Sequence, residues 1–266
     1  MSAAAVEGIG VHSGERCSVW LHRDDGPLRF RVAGAEVLAL VESVVATPRC
    51  TVIGDAHGAR VATVEHLLAA LRVAGFWSGV VVEVDGPELP ILDGSALPWY
   101  ESLRSLGPAP RPPPAWQPPG PVTASYGASR FRLEPGAERL EASIDYDHPA
   151  IGAQRWCGAP DRYLDLLPAR TYATEAEVRA LRAAGGLLGA AEGRGIVFGD
   201  EGPLVALRWP DEPVRHKALD ALGDFTLLGF PLRGRLSVER GSHAAHVAFM
   251  QRLRTLAPAP TATPRS

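Results

Sequence analysis

The sequence predicts an α+β fold in two halves of similar size. Three observations carry that expectation. A proline-rich stretch, GPAPRPPPAWQPPGP from Gly107 to Pro121, holds 8 of the 24 prolines in the chain. Such a stretch can neither continue a helix nor donate to a sheet ladder, so it reads as an extended, stiff connector. On each side of it, short alternating runs are interleaved with helical periods, although no fixed-period sequence repeat relates the two sides. The expected organisation is residues 1–106, a linker at 107–121, residues 122–256, and a loose tail rich in Pro, Ala and Thr at 257–266.

Taken in order, Cys17 to His22, Leu28 to Val32 and Val80 to Val84 alternate as strands, the last ending in the turn signal Asp85-Gly86-Pro87. Thr63 to Ala74 (TVEHLLAALRVA) sets Val64, Leu67, Leu68 and Leu71 on one helical face, with Thr63 as its cap and Gly75 as its stop. Beyond the linker, strands are expected near Phe131, from Leu140 to Tyr146 and near Leu236. Helices are expected near Glu175 to Ala184, Glu212 to Leu228 and His243 to Leu256.

With 266 residues, 46% hydrophobic and 21% charged, the chain has enough apolar material for a folded enzyme. A formal charge of −3 leaves no positive surplus for a run of phosphates, which argues against a nucleic-acid partner. The three cysteines, Cys17, Cys50 and Cys157, are odd in number and share no CxxC spacing, as suits a reducing compartment. Residues 1–30 lack a basic start followed by an apolar core, and no run approaches the ~20 apolar residues that span a bilayer. A cytoplasmic monomer without stable membrane insertion is expected.

Chemistry concentrates in DEPVRHKALDALGDFTLLG, where His216, Asp220 and Asp224 recur at steps of four and so stack on one helical face. A His and an Asp one turn apart can reach a single metal ion, and imidazole nitrogen with carboxylate oxygen suits zinc. The same spacing also occurs on ordinary solvated helices. Lys217 is the only lysine among 27 basic residues, and a compact ammonium differs from a guanidinium in what it can do beside a reacting oxygen. Glu65-His66, on the helix of the first half, offers a carboxylate next to a further imidazole. That is the composition of a hydrolytic site with three protein ligands, an open fourth position and a nearby base.

TVEHLLAAL (63–71), VDGPELPILDGSALP (84–98) and VRHKALDALGD (214–224) resemble, in order, the signature segments of the UDP-3-O-acyl-N-acetylglucosamine deacetylases, the LpxC family. GIGVHSG (8–14), CTV (50–52), IDYDHPAI (144–151), ART (169–171) and Ser242-His243-Ala244 fall where that family has related segments, so the resemblance runs from about Gly8 to Leu256. It implies two similar domains, each a small, mostly antiparallel sheet packed with helices, and a zinc site between them. His66, His216 and Asp220 would hold Zn2+, and Glu65 would activate water. Lys217 would face substrate charge, Thr171 would hydrogen-bond the oxyanion, and His243, held by Asp224, would protonate the leaving amine. The implied reaction is removal of the N-acetyl group of an acylated UDP-N-acetylglucosamine in lipid A synthesis.

Cys50 is given no catalytic role, and the VDGPELPILDGSALP segment is expected to build turns and packing. His12, His22, His57, His148 and His246 have no partners at ligand spacing and are expected to be structural or solvated. Leu187 and Leu188, within GGLLG (185–189), fall where the family lines an acyl passage; Arg130, Phe131 and His148 are candidates for contact with the UDP moiety. Departures from the family pattern occur at GLLGAAEG, before Asp211, and at Gly241-Ser242-His243, where Ser-Gly-His is the common order. Two other readings stay open: a catalytically silent relative that binds an acylated sugar nucleotide, and a deacetylase of another N-acetyl sugar.

Overall fold

A computed structural model describes residues 5–191 and 193–257; the expected tail beyond Ala257 lies outside the described residues. The first half runs β1 (Ala5–Ile9), β2 (Arg16–Pro27), β3 (Arg29–Val32), β4 (Ala35–Leu38), the short β5 (Val44–Ala46), β6 (Val52–Gly54) and β7 (Arg60–Val61), then α1 (Glu65–Val73), β8 (Ser78–Asp85) and α2 (Leu97–Leu103). The second half runs β9 (Val122–Tyr126), β10 (Ser129–Glu134), β11 (Arg139–Asp145), β12 (Ala153–Gly158), β13 (Tyr172–Thr174), α3 (Glu175–Ala183), β14 (Ile196–Gly199), β15 (Gly202–Pro203), α4 (Glu212–Asp224), β16 (Arg235–Glu239) and α5 (His243–Leu256).

Each half contains a five-stranded sheet of the same topology. The orders are β1-β2-β8-β3-β4 and β9-β10-β16-β11-β12. In each sheet one pair is parallel, β3 with β8 and β11 with β16, and every other pair is antiparallel. In each, the last strand is preceded by a long inserted segment and a helix, and followed by a second helix. Thus α1 and α4 are equivalent, as are α2 and α5. The duplication is carried by connectivity, and it is invisible as sequence periodicity because the inserts differ: β5–β7 in the first half, β13–β15 with α3 in the second.

The alternation that marks the strands is the alternation of the core. On β2, Cys17, Val19 and Leu21 are buried, and on β10, Phe131 and Leu133. Gly75, in the left-handed region at φ 85°, ends the turn after α1 as expected. Thr63 does not cap that helix. Its own φ is 60°, its hydroxyl donates to Glu88 Oε1 at 2.9 Å, and α1 begins after Val64 without a side-chain cap. The expected α5 begins and ends at His243 and Leu256, with the Ser242 Oγ accepting from the Ala245 N–H.

The 107–121 stretch contains no helix or named strand. It lies along both halves. Pro110 sits where any side chain at Gly79 would stand, and Trp116 donates to the Pro231 carbonyl at 2.9 Å while accepting from Arg233 N–H at 2.8 Å. No described helix is long and apolar enough to cross a membrane.

Candidate metal centre and its surroundings

The two equivalent helices α1 and α4 pack against each other, and a glycine sets how closely. A Cβ built on Gly223 would stand 2.1 Å from the Glu65 carbonyl oxygen, so the start of α1 can lie on α4 only because that position has no side chain. The close crossing brings Glu65 and His66 opposite the face of α4 that carries His216, Asp220 and Asp224.

His216 Nε2 is 3.2 Å and His66 Nε2 3.8 Å from Asp220 Oδ1, all three residues are buried, and their donor atoms lie within 4.8 Å of one another. His216 Nδ1 faces the Ala169 carbonyl at 3.1 Å; with that nitrogen donating, Nε2 turns a lone pair into the site. Asp220 Oδ2 takes the Lys217 ammonium at 3.0 Å, while Oδ1 has no hydrogen-bond partner. An orphaned carboxylate oxygen beside two imidazoles is costly unless a cation completes the group. Burial lowers the pKa of His66, to about 3, and of His216, so both offer neutral nitrogen. Burial would raise Asp220, yet His216 and Lys217 hold it below the usual carboxylate range. These residues fit a divalent metal.

A second buried group, Asp224, His243 and His246, also brings its donor atoms together. Its spacings assign it differently. Ligands at about 2.0–2.2 Å from one tetrahedral ion stand roughly 3.4 Å apart, whereas Asp224 Oδ2 is 2.8 Å from His243 Nδ1 and 2.7 Å from His246 Nδ1, hydrogen-bond distances. The second group is a carboxylate shared by two imidazoles. On its other side, Asp224 Oδ1 accepts the Thr51 hydroxyl at 2.6 Å. Thr51 also donates its N–H to Glu65 Oε2 at 3.0 Å, so one residue ties Glu65 to Asp224.

Glu65 is buried, and burial pushes its carboxyl up to about 7, with His243 opposing. Burial alone would lower His243, but the Asp224 and Glu65 carboxylates outweigh it and bring the imidazole to about 9. His243 Nε2 faces Glu65 Oε1 at 3.9 Å. A carboxyl poised near neutrality thus stands opposite an imidazolium, close to the candidate metal group at the α1–α4 crossing.

A family model for the UDP-3-O-acyl N-acetylglycosamine deacetylases matches residues 1–255. The chain belongs to the LpxC family. Among curated members named UDP-3-O-acyl-N-acetylglucosamine deacetylase, it is 39% identical to that of Thermosynechococcus vestitus over 90% of this chain and 87% of the relative. It is 38% identical to that of Brucella ovis (91% and 89%) and 33% to that of Leptospira biflexa (93% and 86%).

In this LpxC chain, the residues named from sequence fall in different places. His66, His216, Asp220, Lys217, Glu65, Asp224 and His243 converge on the α1–α4 crossing and the start of α5. Thr171 lies in the loop just before β13, its N–H on the Gly94 carbonyl at 2.8 Å and its carbonyl on the Ile196 N–H at 2.8 Å. The VDGPELPILDGSALP segment supplies Gly94 and further supports. Its Glu88 accepts from Ser13 N–H at 2.7 Å and from His12 N–H at 3.1 Å, and its Asp93 takes Arg208 at 2.9 Å and the Ser95 N–H at 2.9 Å. Leu187 and Leu188 lie on a loop that docks on the first half, where Gly189 N–H donates to the Val11 carbonyl at 3.1 Å; Leu188 is 68% exposed.

Phe131, one of the candidates for contact with the UDP moiety, is buried in the core, stacked on Phe249 at 4.9 Å. Arg130, its neighbour on β10, points to the opposite face of the sheet, away from the helices that carry the metal pocket. His246, taken as partnerless, shares Asp224. The spacing HAAH at 243–246 puts both imidazoles on one face of α5 and was the available signal. Thr51 left no such signal, because its partners are 14, 173 and 192 residues away in sequence.

Proposed function

We propose that the chain hydrolyses the N-acetyl group of UDP-3-O-(3-hydroxyacyl)-N-acetylglucosamine and releases acetate, as a zinc enzyme of lipid A synthesis in the cytoplasm. One observation carries the reading: a buried, unpartnered Asp220 oxygen beside two neutral imidazoles, next to a carboxyl near neutrality that faces an imidazolium at 3.9 Å. The names of the curated relatives agree with it.

His66, His216 and Asp220 would hold zinc, which when bound supplies Lewis acidity toward the acetyl carbonyl and lowers the pKa of water. Glu65 takes the proton of the attacking water, its own proton affinity matched to neutral pH by burial. Negative charge then develops on the former carbonyl oxygen. The Thr171 hydroxyl and the Lys217 ammonium are the donors assigned to it, and the latter is fixed by Asp220. An amide nitrogen leaves only once protonated, and His243, charged through its pairing with Asp224, delivers that proton. Leu187 and Leu188 are assigned to the acyl chain.

The test is acetate release from acylated UDP-N-acetylglucosamine by the zinc-loaded protein, with Glu65→Gln as control. Turnover that the control lacks is expected. Turnover of non-acylated UDP-N-acetylglucosamine at equal kcat/KM would overturn the substrate, and absence of turnover on either would overturn the reaction.

A further inference from the structure

We propose that His246 is a positioning residue for His243: its Nδ1–H fixes the shared Asp224 carboxylate in the orientation that aims the His243 imidazole at the reaction centre. The inference rests on the role of His243 proposed above.

Asp224 is fully buried, and each of its oxygens is committed. Oδ1 receives Thr51, and Oδ2 receives His243 and His246 from the same helix, α5, on which they are neighbours at i and i+3. Without His246, Oδ2 keeps one donor, and the carboxylate can turn about its Cβ–Cγ bond, taking the His243 ring with it. The His246 ring itself cannot turn. Phe131 and Phe225 lie 5.9 Å from it on two sides, and a Cβ at Gly241 would stand 2.5 Å from its Nε2.

Two costs attend this arrangement. With Nδ1 given to Asp224, Nε2 is buried with no partner, a loss that an apolar side chain in its place would avoid. A side chain at position 241 would press on the imidazole at 2.5 Å and on Val238 Cγ1 at 2.6 Å, so that position favours glycine, and Ser242 follows it as the cap of α5. A residue that costs packing freedom and leaves a nitrogen unpaired, yet donates to the carboxylate that orients His243, acts through that carboxylate.

Three substitutions separate donor from bulk. His246→Asn keeps an N–H at about the reach of Nδ1, His246→Leu fills the space without a donor, and His246→Gln moves the donor out to the reach of Nε2. With zinc-loaded protein and acylated UDP-N-acetylglucosamine, the Leu variant loses roughly ten- to hundredfold in kcat at unchanged KM and zinc content. The Asn variant recovers most of it. Wild-type kcat in the Leu variant overturns the proposal, as does an Asn variant equally slow. Should the Leu variant fail to fold, Gln takes its place with the same expectations.

If the unaltered protein proves inactive, the proposed function fails, while the positioning claim is still read by nuclear magnetic resonance of the imidazole protons. Two slowly exchanging Nδ1–H signals are expected in the unaltered protein, with that of His243 broadened by exchange in the Leu variant. A His243 signal indifferent to the substitution overturns it.

Discussion

Glu65→Gln keeps the shape and the Thr51 bond of the carboxylate but cannot take a proton, so kcat should fall roughly 10²- to 10⁴-fold while bound zinc per chain, read by elemental analysis, is unchanged. Lys217→Arg keeps the charge yet replaces a compact ammonium bonded to Asp220 at 3.0 Å by a planar fork, and a fall in kcat is expected although the charge balance is intact. His243 sets the pH dependence. Its pKa is raised from the ordinary value to about 9, so the cation needed to protonate the leaving amine is complete at neutral pH and is lost as pH rises through about 9. The kcat/KM profile should therefore fall on its alkaline side near that value, and in His243→Gln this limb should disappear along with most of the activity.

At the scale of elements, the crossing of α1 on α4 governs the site. Gly223→Ala would place a methyl 2.1 Å from the Glu65 carbonyl oxygen. The helices must separate, and a loss of roughly 1–3 kcal/mol in denaturant unfolding is expected, accompanied by weaker zinc retention, because His66 moves with α1. This crossing also marks where sequence reading ended. His216, Asp220 and Asp224 were legible because one helix repeats them at its own period, Lys217 because it is the only lysine in the chain, and the strands because burial alternates along them. Gly223 was passed over, since its need for a missing side chain exists only when α1 lies on it. Thr63 was misread as a cap because a Thr before an apolar helical run carries that signal, while its left-handed backbone and its bond to Glu88 arise from long-range packing.

At the scale of the molecule, the proposed metal ligands are drawn from two halves of like topology. Chelation should lower the melting temperature, and the melting temperature should climb with zinc concentration, as linkage requires for an ion bound only by the folded chain; His66→Ala should abolish that dependence. The boundaries at 107 and 121 stand as a proposal. With α1 packed on α4, Arg72 of α1 stacked 4.2 Å over Trp77 and paired with Glu138 of the second half, calorimetry of the zinc-loaded protein should give one cooperative transition, and two separated transitions would contradict that coupling. The shared topology has a consequence for synthesis. Because equivalent helices of the two halves carry the proposed ligands, the imidazole at 66 leaves the ribosome 150 residues ahead of the one at 216. A nascent amino-terminal half carries one of the three proposed protein ligands. On the proposed ligand set, loading with metal waits until the second copy of the pattern has been made.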